Sequence, residues 1–122
     1  MPRVLVVDDE DSMRQLVSRA IAMDGHETTT AADGAEALEL LGSAEVAFDL
    51  LLTDIQMPVM DGIALALTAA RDFPDLTILL MTGFADQRER ASGLNAIAYD
   101  VISKPFSMAD IRTAVADALA SR

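Results

Sequence analysis

The stretch LLTDIQMPVMDG, Leu51–Gly62, begins as an apolar strand, stops on a carboxylate at Asp54 and breaks into a loop carrying Pro58 and Gly62. A charge at the mouth of a buried strand is costly unless something pairs with it. Asp54 therefore either meets solvent at a turn or does chemistry, and Asp61 adds a second acid close behind. What the rest of the chain delivers to this strand end decides between the two.

Outward from that strand, the chain alternates. RVLVV (Arg3–Val7), FDLLLTD (Phe48–Asp54) and LTILLMT (Leu76–Thr82) are short apolar runs and predict buried strands. ETTTA (Glu27–Ala31) is β-prone but polar, as an edge strand is, and AYDVIS (Ala98–Ser103) is a mixed fifth strand. Helical spacing fills the gaps. Met13, Leu16, Val17, Ala20 and Ile21 form one stripe, with Asp9 or Asp11 as N-cap and Gly25 as the stop. Asp33 and Glu36 have capping-box spacing and open a helix to about Leu41. Ile63, Ala66, Leu67 and Ala70 form a third stripe, and a weaker pattern covers roughly Ala85–Ser92. Met108, Ile111, Val115 and Leu119 form the last, behind Ser107 and Asp110 as caps. Five βα units in succession predict a parallel sheet covered on both faces with right-handed crossovers. Placing the polar second and mixed fifth strands at the edges gives the order 2-1-3-4-5, a flavodoxin-like doubly wound α/β fold with five helices in one domain over 1–122.

Composition bounds what such a fold can do. The 122 residues are 52% hydrophobic, enough for a packed core. There is no cysteine, which excludes disulfides, thiolate metal sites and thiol nucleophiles. A net charge of −11 and a pI near 4.2 argue against nucleic acid and anionic membranes as partners. No apolar run approaches the roughly 20 residues of a membrane span. The first residues run straight into a strand, unlike a signal peptide, so a cytoplasmic protein is expected.

In a parallel sheet of this order the carboxyl ends of all strands share one edge. Asp8 and Asp9 follow strand one, Asp54 ends strand three, Thr82 ends strand four and Lys104 follows strand five. Strands one and three flank the crevice where the chain order reverses, the usual ligand position. Three converging carboxylates repel one another, and a divalent cation relieves this. All-oxygen ligation without His or Cys selects a hard ion, and few protein ligands suit Mg²⁺. A carboxylate beside such an ion can act as a nucleophile towards phosphorus, with Lys104 and Thr82 neutralising and hydrogen-bonding the transferring group. Each residue alone has a plainer reading: a solvated acidic helix start, a turn former, a strand-end hydroxyl, a surface lysine. Their conjunction at four strand ends favours phosphoryl transfer.

VLVVDDE, LLLTDIQMPVMDG, LLMTG and SKPF, in this order and spacing, closely resemble the receiver domains of bacterial two-component response regulators. The resemblance covers essentially the whole chain. It implies that Asp54 is the phosphoacceptor, and that Asp8 and Asp9 hold Mg²⁺ with Asp54 and the backbone carbonyl of Gln56. It further implies that Thr82 and Lys104 read the phosphate, and that the Lys104–Pro105 bond is a candidate for the cis form. The phosphoryl donor would be a sensor histidine kinase or a histidine phosphotransfer protein. Such a domain is a signalling switch that assists its own phosphorylation and dephosphorylation and is not otherwise an enzyme. With no output domain after the last helix, the output is expected to be contact with another protein. TDIQMPVMDG, TGFA and SKPF are similar to stand-alone CpdR-type receivers, which implies a protease complex as downstream partner.

One position departs from the family. Receivers usually carry an aromatic residue three positions before the lysine, and here that residue is Val101, with Tyr99 two positions earlier on the same strand face. A ring-burying switch is therefore unavailable at Val101, and Phe84 together with the helix expected over 85–92 is left to report activation. Competing classes fit less well. A phosphatase of the haloacid-dehalogenase type needs an acid two residues after its nucleophile, where this chain has Gln56. A flavin carrier would set its phosphate against Asp8, Asp9, Glu10 and Asp11.

Overall fold

The computed structural model describes residues 1–83 and 97–121. Its five strands, β1 (Arg3–Val7), β2 (Glu27–Ala31), β3 (Leu50–Asp54), β4 (Thr77–Thr82) and β5 (Asp100–Ser103), form one sheet in the order β2-β1-β3-β4-β5. Every neighbouring pair is parallel. Four helices lie among the described residues: α1 (Asp11–Ala22), α2 (Gly34–Ser43), α3 (Gly62–Asp72) and α4 (Met108–Ala120). The helix expected over 85–92, and Phe84 with it, lies outside them.

Strand alternation divides the core into two layers. Val4, Val6, Leu50, Leu52, Leu79 and Met81 point to one face and are covered by Val17, Ala20 and Ile21 of α1 and by Ile111, Val115 and Ala118 of α4. Leu5, Val7, Leu51, Ile78 and Leu80 point to the other and meet Ala37 and Leu41 of α2 and Leu65, Ala66 and Ala69 of α3. The central strands are thus apolar on both faces, which is why their sequences read as unbroken hydrophobic runs. The edge strand β2 can be polar because only part of it is covered, ending in buried Ala31.

Several local expectations are met. Ser107 and Asp110 form a reciprocal capping box on α4. Asp33 accepts from the Glu36 amide, although the Glu36 carboxylate reaches back to the amide of Ala32, one residue further out. Two are corrected. The N-cap of α1 is Glu10, with no side-chain cap; Asp9 is left over for the sheet edge, and Asp11 is already the first helical residue, bonded to Arg14. On α3 the buried stripe is Gly62, Leu65, Ala66 and Ala69, while Leu67 is half exposed. In a helix this rich in Ala and Leu, several faces look equally apolar. The tertiary entry point chooses among them: the Gly62 amide donates to the Ile55 carbonyl at 2.7 Å and fixes the rotation of the first turn.

The loop between β3 and α3 holds one strained residue. Val59 has φ of +68°, and the Met60 amide donates to the Pro58 carbonyl at 2.8 Å, closing a three-residue turn around it. This left-handed form of the γ-turn is rare, and a β-branched residue is the least suited to it. The Val59 side chain is fully exposed, so no packing compensates. Val59→Gly should therefore stabilise the protein by about 1 kcal/mol, the relief of left-handed strain less the added flexibility of glycine. Urea unfolding checks this, and a loss of stability would show that the turn is not strained.

Candidate functional site

The first and third strands run side by side, with Val7 aligned to Thr53. The residues that follow, Asp8 and Asp54, therefore emerge next to each other at the carboxyl edge. Both are almost wholly buried, at 1% and 5% exposure, whereas Asp9 is exposed. A ligand oxygen from each of Asp8, Asp9 and Asp54 lies within 4.8 Å of the others. β5 brings the lysine: Thr82 pairs with Ser103, and the Lys104 amide donates to the Thr82 carbonyl at 2.7 Å. The Lys104 ammonium then reaches across the edge to Asp54 Oδ1 at 3.2 Å and to Asp8 Oδ2 at 3.4 Å. The peptide bond from Lys104 to Pro105 is cis.

Three further contacts hold the acids. Asp8 Oδ1 accepts from the Glu10 amide at 3.0 Å, and the Asp8 backbone carbonyl accepts from Arg14 Nη1 at 2.6 Å. Thr53 donates its hydroxyl to the Asp54 carbonyl at 3.0 Å. Arg14 escaped the sequence reading because its role depends on the chain turning from β1 into α1. The one available signal was its i,i+3 spacing from Asp11.

The electrostatics are those of charges taken out of water. Burial raises the Asp54 carboxyl above the ordinary carboxylate range; Lys104 pulls it back and Asp8 adds to the rise. Asp8 is raised for the same first reason, opposed by the Glu10 amide and Lys104. For Lys104 burial acts to lower the ammonium, but the two carboxylates together outweigh it and hold the proton more firmly than usual. One ammonium among three carboxylates leaves the pocket net negative.

Thr82 lies at the same edge at the end of β4 and is buried. Gln56 sits two residues beyond Asp54 and is exposed. Val101 is half-buried against the core of the α2 and α3 face, and Tyr99, just before β5, is 46% exposed. Neither places an aromatic ring inside the sheet edge. The donor set is all oxygen, partly buried and short of charge balance, which suits a hard divalent cation. No described helix is long and apolar enough to cross a membrane.

Residues 4–116 match the family model described as the response regulator receiver domain. The chain is 40% identical over 111 residues to the response regulator receiver protein CpdR of Brucella abortus, covering 91% of each. It is 40% identical over 118 residues to the regulatory protein AtoC of Escherichia coli, covering 96% of this chain and 25% of AtoC. The chain spans less than half the length of several other curated relatives it matches. Among solved structures, the response regulator TrrA from Thermotoga maritima, determined in complex with Mg²⁺ and BeF, superposes with a TM-score of 0.86 at 31% identity. That superposition covers 97% of this chain and 99% of TrrA.

Proposed function

The chain belongs to the response regulator receiver domain family of two-component signalling, and on that premise we propose that Asp54 takes a phosphoryl group from a phosphohistidine, on a sensor histidine kinase or a histidine phosphotransfer protein. The observation that carries this is the meeting of Asp8, Asp9 and Asp54 with Lys104 at one sheet edge.

Asp54 Oδ2 makes no hydrogen bond or ion pair among the described residues, while Oδ1 is held by Lys104. The free oxygen attacks phosphorus, a P–O bond forms, the P–N bond to the donor imidazole breaks, and the imidazole leaves with that electron pair. Asp8, Asp9, Asp54 and the Gln56 carbonyl would hold Mg²⁺, which when bound offsets the negative charge of the phosphoryl group. Lys104 would offer a second positive charge, and Thr82 a hydroxyl for a phosphoryl oxygen. Beyond assisting its own phosphorylation and dephosphorylation, the domain needs no activity of its own. The likeness to CpdR supports an output made by contact with a protein partner, a regulated protease complex being the candidate its motifs suggest.

Wild-type protein mixed with acetyl phosphate and Mg²⁺ should gain one phosphoryl group by intact mass, on the peptide containing Asp54, and none in EDTA. Uptake on any other peptide would refute the assignment. The same site predicts a pH-dependent metal response. Asp8 and Asp54 have raised folded-state pKa values, so their protonated forms favour the fold. That contribution is present below the ordinary carboxylate pKa and is lost as pH rises through the raised values. Mg²⁺ needs the deprotonated form. The stabilisation by Mg²⁺, read as a rise in Tm, should therefore be small in mildly acidic buffer and grow towards neutrality, where it reaches about 2.7 kcal/mol at one hundred times Kd. A Tm indifferent to millimolar Mg²⁺ at neutral pH would refute the metal site.

A further inference from the structure

The amino ends of the strands form a second edge of the sheet, which the acid cluster does not use. There Leu41 in the last turn of α2, Phe48 just before β3, and Phe73 and Leu76 between α3 and β4 line a cavity of about 230 Å³. Leu41, Phe48 and Leu76 each keep 8% exposure, the highest among the buried hydrophobic residues. The wall before β3 is pinned. The Arg3 guanidinium lies 4.4 Å from the centroid of the Phe48 ring and donates to the Val46 carbonyl, while the Arg3 amide donates to Asp49 Oδ2 at 2.7 Å. The wall before β4 is held as well: the Leu76 amide donates to the Phe73 carbonyl at 3.1 Å, and the Thr77 amide to the Asp49 carbonyl at 3.2 Å. A cavity with walls fixed in this way exists before its ligand arrives, which lowers the entropy cost of binding.

Size and charge select the occupant. Sites for cofactors and other small molecules run from about 300 Å³ upwards, so this cavity suits one large side chain rather than a cofactor. Its floor is apolar, and an apolar side chain matches it. Its lining also includes two acids, Asp72 and Asp75, in a chain of net charge −11. Arg71 pairs with Asp72 at 2.9 Å, but no cation partners Asp75 among the described residues, and Asp75 is exposed. Like charge repels a fatty-acid carboxylate or a lipid phosphate and favours a cationic ligand. We propose that this cavity is a docking site for a peptide segment of a protein partner, in which one large apolar side chain seats against Phe48 and Phe73 and a neighbouring Arg or Lys pairs with Asp75. The length of β3, five residues, sets the cavity roughly 16 Å from Asp54 at the opposite sheet edge. A partner held here leaves the acid cluster open to a phosphoryl donor, so the site does not rest on the phosphoryl-transfer reading.

The probes are the blocked tripeptides Arg-Leu-Arg, Arg-Phe-Arg and Arg-Trp-Arg, with the corresponding Glu-flanked peptides as controls, titrated into ¹⁵N-labelled protein. At least one arginine peptide should bind with a Kd of about 1 mM or tighter, shifting the amides of Phe48, Phe73 and Leu76 and leaving that of Asp9, at the far edge, in place. No shift from any arginine peptide, or shifts centred on Asp9, would overturn the proposal. Equal affinity of the glutamate peptides would overturn it too, because Asp75 would then have no part in recognition. Asp75→Lys should weaken the arginine peptides about fivefold. Ala47→Arg, which sets a long cation in the cavity wall, should abolish the shifts. Both positions are exposed, and an unchanged melting temperature shows that the fold is intact. Should either variant melt early, the comparison of arginine and glutamate peptides on wild-type protein decides. Shifts of the same amides on concentrating the protein without peptide would give the cavity to a second copy of the chain and overturn the assignment.

Discussion

Asp54→Asn should take up no phosphoryl group from acetyl phosphate under conditions that fully modify the wild type, and should unfold at a higher temperature than wild type in EDTA. The first effect follows from chemistry, since a carboxamide is not a nucleophile towards phosphorus. The second follows from burial. Asp54 is 5% exposed, and although Lys104 lies 3.2 Å away, the folded protein still holds its carboxyl above the ordinary range. Desolvation therefore outweighs the ion pair, and a neutral group of the same shape is better accommodated than the charge. Lys104 keeps Asp8 as partner in the variant, so no buried ammonium is stranded. The rise in Tm on adding Mg²⁺ should shrink sharply at the same time, because the cluster loses its carboxylate on β3. Intact mass and thermal melts with and without Mg²⁺ read all three effects. A variant that melts below wild type in EDTA would show that the Lys104–Asp54 pair stabilises the fold after all.

Gly62→Ala should be among the most damaging single-atom changes in the molecule. A Cβ at Gly62 would stand 2.0 Å from the Asp54 carbonyl oxygen and 2.8 Å from both the Asp54 carbonyl carbon and Ile55 Cα. These are backbone atoms at the end of a central strand, and they cannot rotate away. The Gly62 amide also donates to the Ile55 carbonyl at 2.7 Å, which any separation of α3 from β3 would break. A loss of 4 kcal/mol or more is expected, at roughly the upper end of single substitutions. Because the clash is with the phosphoacceptor's own backbone, any surviving fold should also lose its Mg²⁺ response. Gly42→Ala is the control: in α2, with nothing within 4 Å of the added Cβ, it should be neutral or stabilising by about 0.5–1 kcal/mol. Urea unfolding of the pair decides. If Gly62→Ala falls within about 1 kcal/mol of wild type, the close approach of α3 to the strand end is not as tight as described.

Gly62 also marks the boundary between what the chain's letters disclose and what they do not. The βα alternation, the strand order and the meeting of Asp8, Asp54, Thr82 and Lys104 at one edge were legible in the sequence. Period-2 and period-3.6 patterns are local, and parallel crossovers allow few topologies, so these features follow from short-range chemistry and chain handedness. The partners of each oxygen were not legible. That Glu10 takes the N-cap position of α1, that Arg14 covers the Asp8 carbonyl, and that Lys104 divides its ammonium between two acids depend on distances set by the packed sheet. The same holds for the face of α3. Its alternating Ala and Leu residues give no unique stripe, and only the contact of Gly62 with Ile55 chooses Leu65 over Leu67 for the core. Residue type and spacing determined which groups meet. Tertiary packing alone decided which atoms of those groups are free to react, because hydrogen bonds and desolvation act over a few ångströms that no one-dimensional pattern specifies.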